Sequence, residues 1–415
     1  MTQNKKPKLL SPAGSWESLR AAIQAGADGI YFGVEQLNMR AKSINNFTIK
    51  DLKDISEVCK QHNIQSYLTL NTILYDHDIS LMKKIVDKAQ NEKIDAIIAC
   101  DLALLNYCKK IGIPVHISTQ ANVTNLETIE FYANNYADTI VLARELTLKQ
   151  TESIIKNIKR KKITGVSGKL IDIEIFAHGA LCMAVSGKCY LSLHSHFASA
   201  NRGACIQNCR RSYIVTDKQD NIELEIDNEY IMSAKDLCTI DFLDKIIEIG
   251  VSVLKIEGRT RSPEYVYTVT KCYREAIDSI LNQTYSQEKI FAWKKALETV
   301  FNRGFWDGYY LGKKLGEWSE THGSKATKQK IYVGKAMNYF DNINIGEFKI
   351  EAETLATGDE ILITGPTTGI IQTAIQELRI DNSDKSIAAK GDLVSFPVAQ
   401  KVRRSDKLYK IVPVT

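Results

Sequence analysis

Four of the chain's cysteines, Cys182, Cys189, Cys205 and Cys209, fall within 28 consecutive residues, separated by 6, 15 and 3 intervening positions. Cys238 follows in SAKDLC. A chain of 415 residues can bury a full core without covalent staples, so thiols grouped this way point to metal or redox chemistry rather than to stabilisation. A 4Fe–4S cluster takes four thiolates, and loops are suitable donors because they can wrap it. A structural zinc ion also takes four. Its usual signature is paired C-x2-4-C knuckles, which only Cys205 and Cys209 approach. Reduced structural thiols or a redox pair complete the options. Cys59 and Cys272 sit in helical periodicity and Cys108 in LALLNYCKKIG, which makes all three core or groove residues. Cys100 ends the strand-like run AIIAC and reads as a buried structural thiol.

Short β-rich runs recur through the first 260 residues: PKLL, GIYFGV, QSYLTLN, AIIAC, VHISTQ, TIVLAR, EIFAH and VLKIEG. Segments such as SWESLRAAIQAG, DLKDISEVCKQH, ISLMKKIVDKAQ, LETIEFYANN and KDLCTIDFLDKIIEIG separate them and space apolar residues three and four apart. Eight such units predict an α/β fold, a (β/α)8 TIM-like barrel, with chemistry on the rim where strands end. The strand ends supply Ser11, Glu35, Arg40, Asn71, Asp101, Thr119, Gln120, Arg144, Glu145, His178, Glu257 and Arg259. All five grouped thiols lie between the seventh and eighth strands. Gly179, Gly187 and Gly203 would let the backbone bend around a cluster. Past Lys325 the pattern changes to short alternating strands, a small C-terminal β-barrel. The expected organisation is residues 1–290 as barrel with a Cys-rich insertion at about 178–240, residues 291–326 as a helical, aromatic connector, and residues 327–415 as the β-barrel domain.

Composition is that of an ordinary soluble protein, 44% hydrophobic and 25% charged. The N-terminal stretch has no apolar run long enough for a signal peptide and no later run approaches a membrane span, so a cytoplasmic protein is expected. The formal net charge of +5 permits an RNA partner without demanding one. Basic runs occur at residues 159–162, at Arg210 and Arg211, and at 401–404. HExxH, GxSxG, Walker A and GxGxxG motifs are absent, which disfavours familiar proteases and nucleotide-dependent enzymes.

The stretch EIFAHGALCMAVSGKCYLS resembles the signature of the collagenase-like proteins filed as family 32 among peptidases of unknown catalytic type. The likeness continues in LLSPAGSWESLRAAIQAGADGIYFG, NRGACIQNCRRSY, SAKDLC and LKIEGRTRSPEYV, over about the first 320 residues. FNRGFWDGYYLGK also resembles the tRNA-modifying branch. The resemblance implies an oxygen-independent RNA hydroxylase with a 4Fe–4S cluster, forming 5-hydroxyuridine at the tRNA wobble position with prephenate as hydroxyl donor. A peptidase, or a hydroxylase of a 23S ribosomal RNA cytidine, is the alternative. It further implies Cys182, Cys189, Cys205 and Cys238 as cluster ligands, with Cys209 left out although some relatives use it. Prephenate carries two carboxylates, so the rim arginines Arg40, Arg144 and Arg259 are its expected partners. His178 and Glu257 are the candidates for moving a proton.

Overall fold

The structure is a computed structural model that describes residues 6–41, 46–214, 216, 230–313, 316–321, 323–381 and 383–414. Strands and helices alternate through the first half: β1 (Lys8–Pro12), α1 (Trp16–Gln24), β2 (Gly29–Phe32), α2 (Leu52–Gln61), β3 (Gln65–Leu70), α3 (Ile79–Asn91), β4 (Ala96–Ala99), α4 (Leu102–Ile111), β5 (Val115–Ile117), α5 (Leu126–Asn135), β6 (Thr139–Val141), α6 (Leu148–Lys161) and β7 (Asp172–Ala180). An insertion carrying α7 (Leu191–His196) and β8 (Asp236–Cys238) precedes α8 (Leu243–Glu248), β9 (Val253–Ile256), α9 (Pro263–Leu281), α10 (Gln287–Glu298) and β10 (Phe305–Trp306). Strands β1 to β7 and β9 pair in parallel, and β9 bonds to both β1 and β7, closing an eight-stranded barrel. All eight runs expected from the sequence are barrel strands.

Alternation sorts the strand residues into two faces. Ile30, Phe32, Leu68, Ile97 and Leu254 join the main core beneath the helices, whereas Leu10, Tyr31, Tyr67, Ala96, Ile98 and Val253 form a smaller cluster on the other face. One correction concerns KDLCTIDFLDKIIEIG. Its first residues form β8, antiparallel to the overhanging end of β7, and only Leu243–Glu248 is helical. β10 then pairs with β8.

Beyond residue 327 the chain builds an antiparallel sheet from β11 (Lys328–Phe340), β12 (Ile345–Ile350), β14 (Glu360–Gly365), β15 (Gly369–Ala374), β16 (Leu378–Ile380), β17 (Ser383–Lys385), β19 (Leu393–Pro397) and β20 (Lys407–Pro413); β13 (Leu355–Ala356) and β18 (Ile387–Ala388) pair separately. Val333, Phe348, Ile363, Val394 and Phe396 centre its own core. It leans on α1, where Gln24 bonds to the backbone of Thr368 and Ile370. Among the described residues no helix is long and apolar enough to cross a membrane.

Candidate functional site

The C-terminal ends of the barrel strands and the segment that follows β7 enclose a cavity of about 190 Å3. Tyr31, Thr69, Ile98, Phe176, Lys255 and Glu257 form its barrel side, and Cys182, Cys189, Cys205 and Cys209 line the opposite side. Two glycines allow the chain to pass this closely. Gly179 has φ of 107°, and a Cβ there would lie 2.5 Å from the Glu257 carbonyl. Gly203, with φ of 83°, would meet the Asn38 carbonyl at 2.3 Å. Both positions need the left-handed backbone that glycine adopts without strain. Arg202 pins the loop to the rim, donating to Asp78 Oδ2 at 2.7 Å and stacking over Tyr75. Arg210 joins the two ends of the insertion through the carbonyls of Leu181 and Ala234 and the Ser233 hydroxyl.

The four cavity thiols share one electrostatic neighbourhood. Burial pushes the Cys209 thiol upward; Arg210 opposes this, and Cys182, Cys205 and Cys189 each add to it. Thiolates that repel one another in this way favour a bound cationic core. The donor set therefore fits a thiolate-ligated metal group. Among the described residues no three His, Cys, Asp or Glu side chains converge on a single-ion site. Each thiolate of a 4Fe–4S cube binds a different iron, so its ligands need not converge on one point.

Cys238 lies elsewhere. It is buried on β8, paired opposite His178, with the Tyr273 hydroxyl 3.9 Å from its sulfur. Burial pushes its thiol up to about 11. Of the four thiols expected as ligands, Cys182, Cys189 and Cys205 line the cavity and Cys238 does not; Cys209 lies beside the three instead.

His178 is also absent from the cavity wall. The register between β7 and β9 shifts after Phe176, so that Phe176 faces Lys255 but His178 pairs with Ile256. This one-residue bulge reverses the side-chain alternation and turns the imidazole outward. It packs against Tyr265, Tyr273 and Phe305. Burial lowers it to about 3, which keeps it neutral. The imidazole expected to move a proton at the cavity is therefore not among the residues that line it.

The expected arginines do line the cavity, with further cations that the sequence reading passed over. Arg40, Arg144, Arg210, Lys255, Arg259, Arg261 and Arg303 face it together with the carboxylate of Glu257. Arg40 pairs with Glu257 at 3.1 Å, Lys255 with Glu174 at 2.7 Å and Arg303 with Asp236 at 3.4 Å. Among the described residues no ion pair links Arg144, Arg210, Arg259 or Arg261 to a carboxylate. Each is held by neutral groups instead. Arg144 donates to the Ala180 carbonyl at 2.8 Å and lies over the Phe176 ring, and Arg259 donates to Thr69 Oγ1 at 2.6 Å and Asn38 Oδ1 at 3.1 Å. Arg261 stacks over Phe301. Burial pulls Arg259 down to about 10 and lowers Arg210 and Arg261, with Arg303 adding to the effect on those two. All remain cationic near neutral pH.

Burial alone would raise Glu257, but Arg40, Arg261 and Arg144 more than offset it, and its carboxyl sits below the usual range. It is a permanent counter-ion for Arg40 and a weak base. Below it, Lys255 and Glu174 form an ion pair inside the barrel, with His116 3.6 Å from the Glu174 carboxylate. Burial opposes ionisation of Glu174, but Lys255 and His116 carry it down to about 2.

Of the other rim residues, Asn71, Thr119 and Gln120 line the cavity, whereas Asp101 caps α4 by accepting from the Ala103 amide. Ser11 bonds to Thr270 and is buried away from it. Arg261 was legible two residues after Arg259 in EGRTRS, and Lys255 as a lone charge inside an apolar strand. The basic run at 159–162 closes the last turn of α6, where cations complement the helix dipole. That end leads into the start of β7, on the barrel face opposite the cavity.

A TIM-like barrel whose rim combines four thiols with an excess of buried cations defines the class of protein. The chain belongs to peptidase family U32, whose model matches residues 14–320. It is 56% identical over 403 residues to a protein named collagenase from Porphyromonas gingivalis W83, covering 97% of each chain. It is 30% identical over 415 residues to tRNA hydroxylation protein P1 of Bacillus subtilis, covering 98% of this chain and 95% of that one. A third relative, 31% identical over 319 residues, is the 23S rRNA 5-hydroxycytidine C2501 synthase of Escherichia coli, with 75% of this chain and 46% of that one covered.

Proposed function

We propose that this protein hydroxylates RNA without molecular oxygen, forming 5-hydroxyuridine at the tRNA wobble position, with prephenate as hydroxyl donor and a 4Fe–4S cluster. The observation that carries this reading is one cavity lined both by four thiols and by four arginines, Arg144, Arg210, Arg259 and Arg261, that pair with no carboxylate among the described residues. The names of the B. subtilis and E. coli relatives support RNA as the substrate class. When bound, the cluster supplies one-electron chemistry, and Cys182, Cys189, Cys205 and Cys209 would hold it. Arg144, Arg259 and Arg261 bind the two carboxylates of the donor, the permanently charged groups best suited to that task. Glu257 orients Arg40 beside them through the 3.1 Å ion pair. Ile98 and Phe176 give the cavity apolar wall that excludes water and strengthens these contacts. An RNA substrate puts the protein in the cytoplasm.

A peptidase is the second reading, favoured by the name of the P. gingivalis relative. Among the described residues one serine contacts a histidine: Ser195 Oγ lies 2.8 Å from His196 Nδ1. That serine already donates to the Leu191 carbonyl, and among the described residues no carboxylate bonds to the imidazole. A hydrolytic triad needs that third group. Nucleoside mass spectrometry of RNA from a deletion strain lacking redundant pathways tests the proposal. Loss of tRNA 5-hydroxyuridine is expected. Intact tRNA with loss of ribosomal 5-hydroxycytidine would move the activity to rRNA, and unchanged RNA with gelatin cleavage by the purified protein would favour the peptidase.

A further inference from the structure

The segment that carries the thiols has an outer surface that the cavity does not use. Residues 175–216 contain no aspartate or glutamate, in a chain that holds 49 of them. Within this acid-free stretch Arg202 and Arg210 are engaged in holding the loop, whereas Lys188, His194, His196 and Arg211 are exposed. Beside them stand large side chains that fill no core. Phe197 is 94% exposed and Tyr190 74%.

These two aromatics flank α7, Tyr190 at its N-terminal end and Phe197 at its C-terminal end. At 1.5 Å rise per residue their Cα atoms stand about 10 Å apart. Phe197 also has φ of 53°, in the left-handed region. Glycine is the ordinary residue at such a helix end, and a bulky side chain there is disfavoured. Neither packing nor backbone preference accounts for phenylalanine at this position. A strained, solvent-exposed aromatic beside a reactive site points to a ligand.

We infer that α7 with Tyr190 and Phe197 is a stacking platform for unpaired RNA bases at the mouth of the thiol cavity, with Lys188 and Arg211 contacting phosphates. The inference rests on the RNA-hydroxylase reading and adds to it where the nucleic acid is gripped. Single-stranded RNA is held by aromatic stacking combined with cationic contacts to its backbone. A duplex keeps its bases stacked on one another and offers no ring face to Phe197. A second copy of this chain docked through the same stretch is the poorer occupant, because it would set two acid-free cationic stretches, residues 175–216, against each other.

Fluorescence anisotropy with the full chain separates these possibilities. The probes are a labelled RNA hairpin with a uridine-containing single-stranded loop and a blunt RNA duplex. Phe197→Gly suits the left-handed backbone, so it should fold with an unchanged or higher Tm while weakening hairpin binding by about 5- to 100-fold. Phe197→Trp should retain affinity. Duplex binding should be indifferent to both, whereas Lys188→Gln with Arg211→Gln should weaken both RNAs and flatten the salt dependence. Wild-type protein that binds the hairpin while Phe197→Gly and Tyr190→Ala stay within about twofold of it would overturn the platform and leave the RNA reading standing. Loss of a dimer in sedimentation at unchanged RNA affinity would likewise overturn it, making the patch a self-association surface. Wild-type protein that binds neither the hairpin nor tRNA would overturn the RNA reading itself.

Discussion

Replacing Cys209 with alanine should empty the thiol site of iron and leave the stability of the apoprotein almost unchanged, whereas Cys238→Ala should do the reverse. Cys238 is buried on β8 beside Tyr273. Removing its sulfur leaves a void about the size of a methylene group, which costs about 1 kcal/mol. It strands no polar partner, because the Tyr273 hydroxyl still donates to the Ala177 carbonyl at 2.8 Å. Cys209 is half-buried at the cavity, and truncating it in the apoprotein should shift stability by no more than about 0.5 kcal/mol. Loss of one of four thiolates removes a whole corner of the cluster's coordination. After anaerobic reconstitution, wild type and Cys238→Ala should each hold about four irons per chain with matching labile sulfide, and Cys209→Ala far fewer. Urea unfolding of the apoproteins supplies the other half of the comparison. A Cys238→Ala protein without iron beside a fully loaded Cys209→Ala would refute the ligand set. Colourless wild-type protein carrying one zinc would refute the cluster.

Arg144→Met keeps an apolar stem over Phe176 but removes a cation without a carboxylate partner, and should weaken prephenate binding by about 10- to 100-fold in titration calorimetry; unaltered affinity would count against the anion site. Lys255→Met leaves Glu174 as an uncompensated charge in the barrel interior and should cost about 3–5 kcal/mol in urea unfolding, most of it recovered by adding Glu174→Gln. His178 titrates near 3 when folded against about 6.5 when unfolded. Below about pH 6.5 only the unfolded chain takes up this proton, so stability falls as pH is lowered. Between pH 8 and pH 5 the wild type should lose about 2 kcal/mol more than His178→Gln, and parallel losses would show that the imidazole is not held neutral.

The barrel was legible because each strand is short, apolar and set apart by a helical period, and because rim chemistry collects where strands end. Arg40, Arg144, Arg259 and Glu257 were found on that rule. His178 obeys the same rule in sequence and breaks it in space, since one extra residue at Ala177 reverses the alternation of β7 without altering its composition. Cys238 departs from the other grouped thiols for a related reason. Its order along the chain places it with the other thiols, but pairing on β7 carries it to the far side of the sheet. Arg210 and Arg303 come from segments that do not read as strand ends. Only the closed fold brings them to one cavity.

The segment that leaves β7 returns to it. Ala180 and Asp236 are paired neighbours, as are Gly179 and Leu237, so residues 181–235 hang from two points on a single strand. A loop anchored in this way closes on itself whatever its length, and the entropy of lengthening it grows only slowly. Its contour can therefore be rewritten, with rings and charges exchanged on its outer surface, while the strand fixes where it starts and stops. One barrel could in this manner carry differently shaped outer surfaces, a division between constant frame and variable address within one polypeptide.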